Sequence, residues 1–98
     1  MIIYLKEKLL EALSDNSLLL VFLLSPRQHQ LDFKKEIEGV EVYYHLNKSQ
    51  NGEDWSLRFT FDIPPSRKHL EQHFKDAVLL ANEDLGLSTD ITFTKLQY

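Results

Sequence analysis

Apolar and polar residues alternate most regularly between Val40 and Ile63. Val40, Val42, Tyr44 and Leu46 interleave with Glu41, Tyr43, His45 and Asn47. Trp55, Leu57, Phe59, Phe61 and Ile63 interleave with Ser56, Arg58, Thr60 and Asp62. Side chains on a strand point to opposite faces with a period of two, so each run has one apolar and one polar face. The polar gap from Lys48 to Asp54 contains Asn51 and Gly52, which tolerate positive φ. This pattern predicts a β-hairpin with a long solvated loop, in an antiparallel sheet covered on one side only. The rest of the chain must supply the cover.

Residues 2–14 carry Ile2, Leu5, Leu9, Ala12 and Leu13 on one helical stripe, with Lys6, Glu7, Lys8 and Glu11 off it. Asp15-Asn16-Ser17 suits a stop and turn. Leu18 to Leu24 is apolar without alternation, and its shortness between Asp15-Asn16 and Ser25-Pro26 favours a strand buried on both faces. The competing reading continues the first helix through it. After a loop, Leu31, Phe33, Lys35 and Ile37 alternate with polar neighbours, predicting a strand over 31–37, with a helix as the alternative. Glu38-Gly39 forms a tight turn into the central hairpin. Pro64-Pro65 ends the meander, because proline cannot donate to a ladder. Ser66 is positioned as an N-cap for a helix over 67–85, whose stripe is Leu70, Phe74, Ala77, Val78, Ala81 and Leu85, with Gly86 after its C-cap. Thr89 to Leu96 reads as a last strand. The order is α-β-β-β-β-α-β, in a single α+β domain over 1–98. It is a two-layer sandwich with a mainly antiparallel sheet of about five strands and two helices on one face.

Composition narrows the function classes. The net charge of −4 argues against nonspecific nucleic-acid binding, which needs a basic footprint. The chain has no cysteine, which removes thiol chemistry and disulfides and is compatible with a reducing cytoplasm. No apolar run is long enough to span a bilayer, and the N-terminal residues show no signal-peptide pattern, so a cytoplasmic location without membrane contact is expected.

Four features go beyond what the fold requires. The second helix opens on Arg67, Lys68 and His69 and closes on Glu83 and Asp84, against its dipole. The plain reading is a screened surface. The sharper one is that Arg67, Lys68, His69, His73 and Lys75 receive an anionic group of a partner. His69 and His73 stand four apart, a two-histidine metal spacing, yet Glu71 fits neither metalloprotease pattern and a third ligand must come from His45 or His29. No metal and no cofactor is expected. Ile3, Leu10, Leu79 and Leu80 fall outside the helical stripes, where they would make an apolar surface for self-association or tuck under the helix edges. Tyr43, His45, Arg58 and Thr60 share the polar sheet face, with Thr92 or Thr94 alongside, and resemble a recognition surface as much as a solvated one.

Catalytic signals are weak. There is no Gly-x-Ser-x-Gly turn and no phosphate loop, and Asp62 with His45 is the one acid–imidazole pairing that the strands suggest. The expectation is a small acidic non-enzymatic protein-binding module of the inhibitor, immunity-type, adaptor or chaperone-like kind, acting by occupying a protein partner and forming a homodimer. Its acidity suits a basic partner. The alternative is a nucleic-acid module that uses the basic start of the second helix.

Overall fold

The computed structural model describes residues 2–51, 54–67, 69–86 and 88–95. Among them the chain forms α1 (Ile2–Ser14), α2 (Ser17–Leu24), β1 (Gln30–Ile37), β2 (Val40–Lys48), β3 (Trp55–Ile63), a 3-10 turn (Pro65–Arg67), α3 (His69–Leu85) and β4 (Ser88–Lys95). The class is α+β, as the pattern predicts, and its details differ in three ways. The described residues hold four strands rather than about five, three α-helices rather than two, and a mixed sheet in which the mainly antiparallel pairing expected is joined by one parallel pair.

The sheet is laid down in sequence order β1-β2-β3-β4. β1, β2 and β3 pair antiparallel, with Leu31 opposite Leu46 and Tyr44 opposite Phe59. Opposed residues share a face, so Leu31, Ile37, Val40, Val42, Tyr44, Leu46, Leu57, Phe59, Phe61 and Ile63 line one side, and all are buried. α1 and α3 pack on that side. Leu5, Leu9, Ala12 and Leu13 of α1 and Leu70, Phe74, Ala77, Val78 and Ala81 of α3 are buried, matching the stripes read from periodicity.

β4 runs parallel to β3, from Ser56 beside Ser88 to Ile63 beside Lys95. A parallel neighbour requires a crossover, usually a helix. The 17 residues of α3 span roughly 25 Å at 1.5 Å per residue, close to the length of β3, so the chain returns to the end where β3 began. Leu96, at the end of the expected last strand, lies outside the described residues, as do Gly52 and Glu53 of the central loop.

The expected strand at 18–24 is a helix. Asn16 sits in extended backbone (φ −91°, ψ 105°) and its side chain accepts the Leu18 N–H at 2.9 Å, which caps α2 and separates it from α1. Five leucines against one β-branched residue favour that outcome. Ser66 likewise does not cap α3. It lies in the 3-10 turn, and α3 starts at His69.

The β1–β2 turn places both Glu38 (φ 55°) and Gly39 (φ 75°) in the left-handed region, the two-residue geometry whose twist matches the strands it joins. A Cβ on Gly39 would stand 3.1 Å from Arg67 Nη1, and Arg67 Nη1 donates to the Glu38 carbonyl at 3.1 Å. Gly39→Ala is therefore expected to cost about 1–2 kcal/mol, from the left-handed backbone and the crowded guanidinium together, as read by urea denaturation.

Tyr44 is fully buried, stacked on Phe33 at 4.6 Å and edge-on to Phe59 at 5.1 Å, yet its hydroxyl has no hydrogen-bond partner. Burial pushes its ionisation far above the ordinary phenol range. Tyr44→Phe keeps the ring contacts and removes the orphaned hydroxyl. The variant should be about 1 kcal/mol more stable, seen as a raised denaturation midpoint with an unchanged slope.

Candidate functional site

Seen from the residues upward, α2 is the part of the fold that folding leaves unfinished. Ser17-Leu18-Leu19-Leu20-Val21-Phe22-Leu23-Leu24 is apolar on every side after its first residue. A helix of that kind is ordinarily enclosed. Here Phe22 is fully buried and Leu19 partly so, while Leu18 is 55%, Leu20 62%, Val21 58%, Leu23 41% and Leu24 75% exposed.

Two anchors hold α2 to the body. Phe22 enters the same core cluster as the sheet and the other helices. Lys48, the last residue of β2, sends its Nζ to the carbonyls of Phe22 and Ser25, both at 2.5 Å, and lies 4.6 Å from the centroid of the Phe22 ring. A cation where the last carbonyls converge is favoured by the helix dipole and satisfies groups that the helix leaves without intrahelical donors. The C-cap Ser25 N–H donates to the Phe22 carbonyl as well. The helix is thus fixed in place with its apolar outer sides facing solvent.

The residues expected to contact a partner fall in two separate places. Arg67 and His69 border a cavity of about 180 Å³ with Leu5, Glu38 and Leu70. His73 lies one turn further along α3, its ring 6.0 Å from that of His69. Lys68 lies outside the described residues. Tyr43, His45 and Arg58 stand on the opposite, uncovered face of the sheet. The cavity is small beside the roughly 300–1,000 Å³ of typical ligand pockets. Its guanidinium is engaged by the Glu38 carbonyl.

Tertiary partners account for part of the reversed charges on the second helix. Arg67 belongs to the 3-10 turn rather than to the first turn of α3, and Asp84 near its end is paired with Lys6 of α1 at 2.7 Å. His69 and His73 face each other edge-on, but His45 lies across the sheet from them and cannot complete a metal set. No cluster of three or more potential ligands occurs among the described residues.

On the uncovered face the register sets Asp32, His45 and Arg58 in one row, and Lys34, Tyr43, Thr60 and Thr92 in the next. Nδ1 of His45 lies 2.8 Å from Asp32 Oδ1. The expected approach of His45 to Asp62 does not occur, because Asp62 pairs with Glu41, four residues along β2. The Tyr43 hydroxyl donates to Glu41 Oε2 at 2.8 Å, and that bond, with the nearby acids, raises its ionisation above the ordinary phenol range. Lys34 pairs with Glu41 at 3.6 Å. These exposed contacts satisfy one another, as on a solvated sheet face, and each is worth little to stability.

Of the residues expected for self-association, Ile3 and Leu79 are exposed, and Leu10 and Leu80 are half-buried. The larger apolar surface, on α2, escapes the sequence reading because residues 18–24 are taken there as a doubly covered strand. Its signal is present nonetheless: an all-apolar segment in a fold with too few layers to enclose it. Comparison with known proteins gives no family model that matches the chain, no similar curated protein and no matching solved structure.

Proposed function

We propose that this chain is a small acidic, non-enzymatic protein-binding module of the inhibitor, immunity-type, adaptor or chaperone-like kind, and that it acts by occupying a protein partner through α2. One observation carries this reading: five apolar side chains stand exposed on a single short helix that Phe22 and Lys48 anchor to the body. Fully burying a leucine-sized side chain is worth about 1.5–3 kcal/mol, so covering these half-exposed five is worth roughly 4–8 kcal/mol. That gain comes only from a second surface. The acidic balance weighs against a nucleic-acid partner. A cytoplasmic setting belongs to the same proposal and accords with the cysteine-free sequence.

The test uses purified components. Proteins retained by the immobilised chain are identified by mass spectrometry, purified and titrated against the wild type and Leu20→Glu. At least about tenfold weaker binding by the variant supports α2 as the docking surface. Equal affinity for both proteins overturns it.

A further inference from the structure

We infer that the surface of α2 is covered by a second copy of this chain, with two α2 helices packed antiparallel about a two-fold axis near Val21. The inference rests on the reading of α2 as a docking surface and names a second copy as its occupant, with which any other protein partner has to compete for α2. Its first support is area. With a fully exposed leucine or valine presenting roughly 180 Å², the exposures of Leu18, Leu20, Val21, Leu23 and Leu24 leave roughly 500 Å² of apolar surface around the outer side of the helix, a large share of the roughly 600–1,000 Å² that each partner gives to a stable interface. Flanking residues of the two copies would supply the remainder.

Its second support is charge. A chain of net charge −4 repels its own copies, so self-pairing requires a face without like charges. No charged residue lies between Asn16 and Pro26. The first charges beyond that window are Asp15 and Arg27, six residues before and six after Val21, and both are exposed. Antiparallel pairing about Val21 brings Asp15 toward Arg27 of the partner subunit, and the two-fold axis repeats that opposite-charge pair at the other end. A two-fold interface has to be self-complementary in this way. An anionic lipid surface fits less well, because basic residues normally flank a membrane-seated helix, and here Arg27 alone flanks the apolar segment, opposite Asp15, in an acidic chain.

Sedimentation velocity across the micromolar range tests this with the full chain. The wild type is expected to dimerise. Leu20→Glu and, separately, Leu24→Gln alter exposed side chains, and circular dichroism should show the fold retained. Each should weaken the dimer, Leu20→Glu by about a hundredfold or more. Asp15→Arg alone should weaken it, and adding Arg27→Asp should restore it. A dimer indifferent to Leu20→Glu, or one that the charge exchange fails to restore, overturns the antiparallel α2 pairing. A wild-type monomer overturns the second copy as occupant. In that case, a fluorescent apolar dye that binds the wild type and not Leu20→Glu leaves α2 as a docking surface for another protein, whereas no dye binding removes the docking reading too.

Discussion

Phe22→Ala is expected to cost about 3–5 kcal/mol, the range for deleting a large buried aromatic side chain. Phe22 has no exposed surface and is the fully buried side chain of α2. Its ring also seats the Lys48 ammonium. Removing it takes away the plug that joins α2 to the core and leaves a void beneath a helix of eight residues, too short to persist unaided in water. The loss should have a spatial signature. Amides of α2 should exchange hydrogen on the timescale of local opening, while those of β2 and β3 keep most of their protection. Phe22→Leu, which keeps most of the volume, should cost far less. A Phe22→Ala variant less than about 1 kcal/mol below the wild type would show that α2 is not docked in this way, and the case for its outer surface would fall with it.

Phe61→Ala should be the most damaging change in the sheet, at about 4 kcal/mol. The Phe61 ring is fully buried and meets Phe59 at 6.1 Å, Phe74 of α3 at 4.7 Å and Phe93 of β4 at 5.3 Å. It joins the antiparallel meander, the crossover helix and the parallel edge strand at one point. Domains of this size are stable by only about 5–15 kcal/mol, so this substitution removes a large part of the total. Because Phe61 and Phe74 touch, their losses should not add. A double-mutant cycle should give a coupling of about 0.5–3 kcal/mol, whereas Phe61 and Phe22, on separate elements without a ring contact, should be nearly additive.

Much of this architecture is legible in the sequence wherever periodicity and turn chemistry agree. The alternation from Val40 to Ile63 gives both strands and their buried face, because a strand has two faces and this sheet covers one. The stripe Leu70, Phe74, Ala77, Val78 and Ala81 gives the buried side of α3 for the same geometric reason. Periodicity says nothing about Leu18 to Leu24, since a segment apolar at every position fits helix and strand alike. There the Asn16 cap and the shortage of β-branched residues decide. The direction of β4 is not a local property at all. It follows from the length of α3, which carries the chain back along β3 before the next strand begins.

The candidate surface is legible only in part, because exposure depends on how many layers a fold has. Ile3 and Leu79 can be picked out on helical wheels as lying off the buried stripes. The exposure of Leu20 and Leu24 cannot, since it requires knowing that the segment is a helix at the margin of the sheet with nothing outside it. Arg67 and His45 are equally opaque. Their neighbours, the Glu38 carbonyl in the β1–β2 turn and Asp32 on β1, are brought near by tertiary placement and strand register.

Lys48 ties the placement of α2 to the alignment of the hairpin. Strand side chains alternate between faces, so sliding β2 by one residue would swing the Lys48 ammonium to the solvated side of the sheet and away from the Phe22 and Ser25 carbonyls. The helix can settle only against a correctly threaded sheet. During folding the apolar segment is therefore expected to lock into position after the strands have paired, so that its leucines are presented in their final arrangement only by molecules whose sheet is already in order.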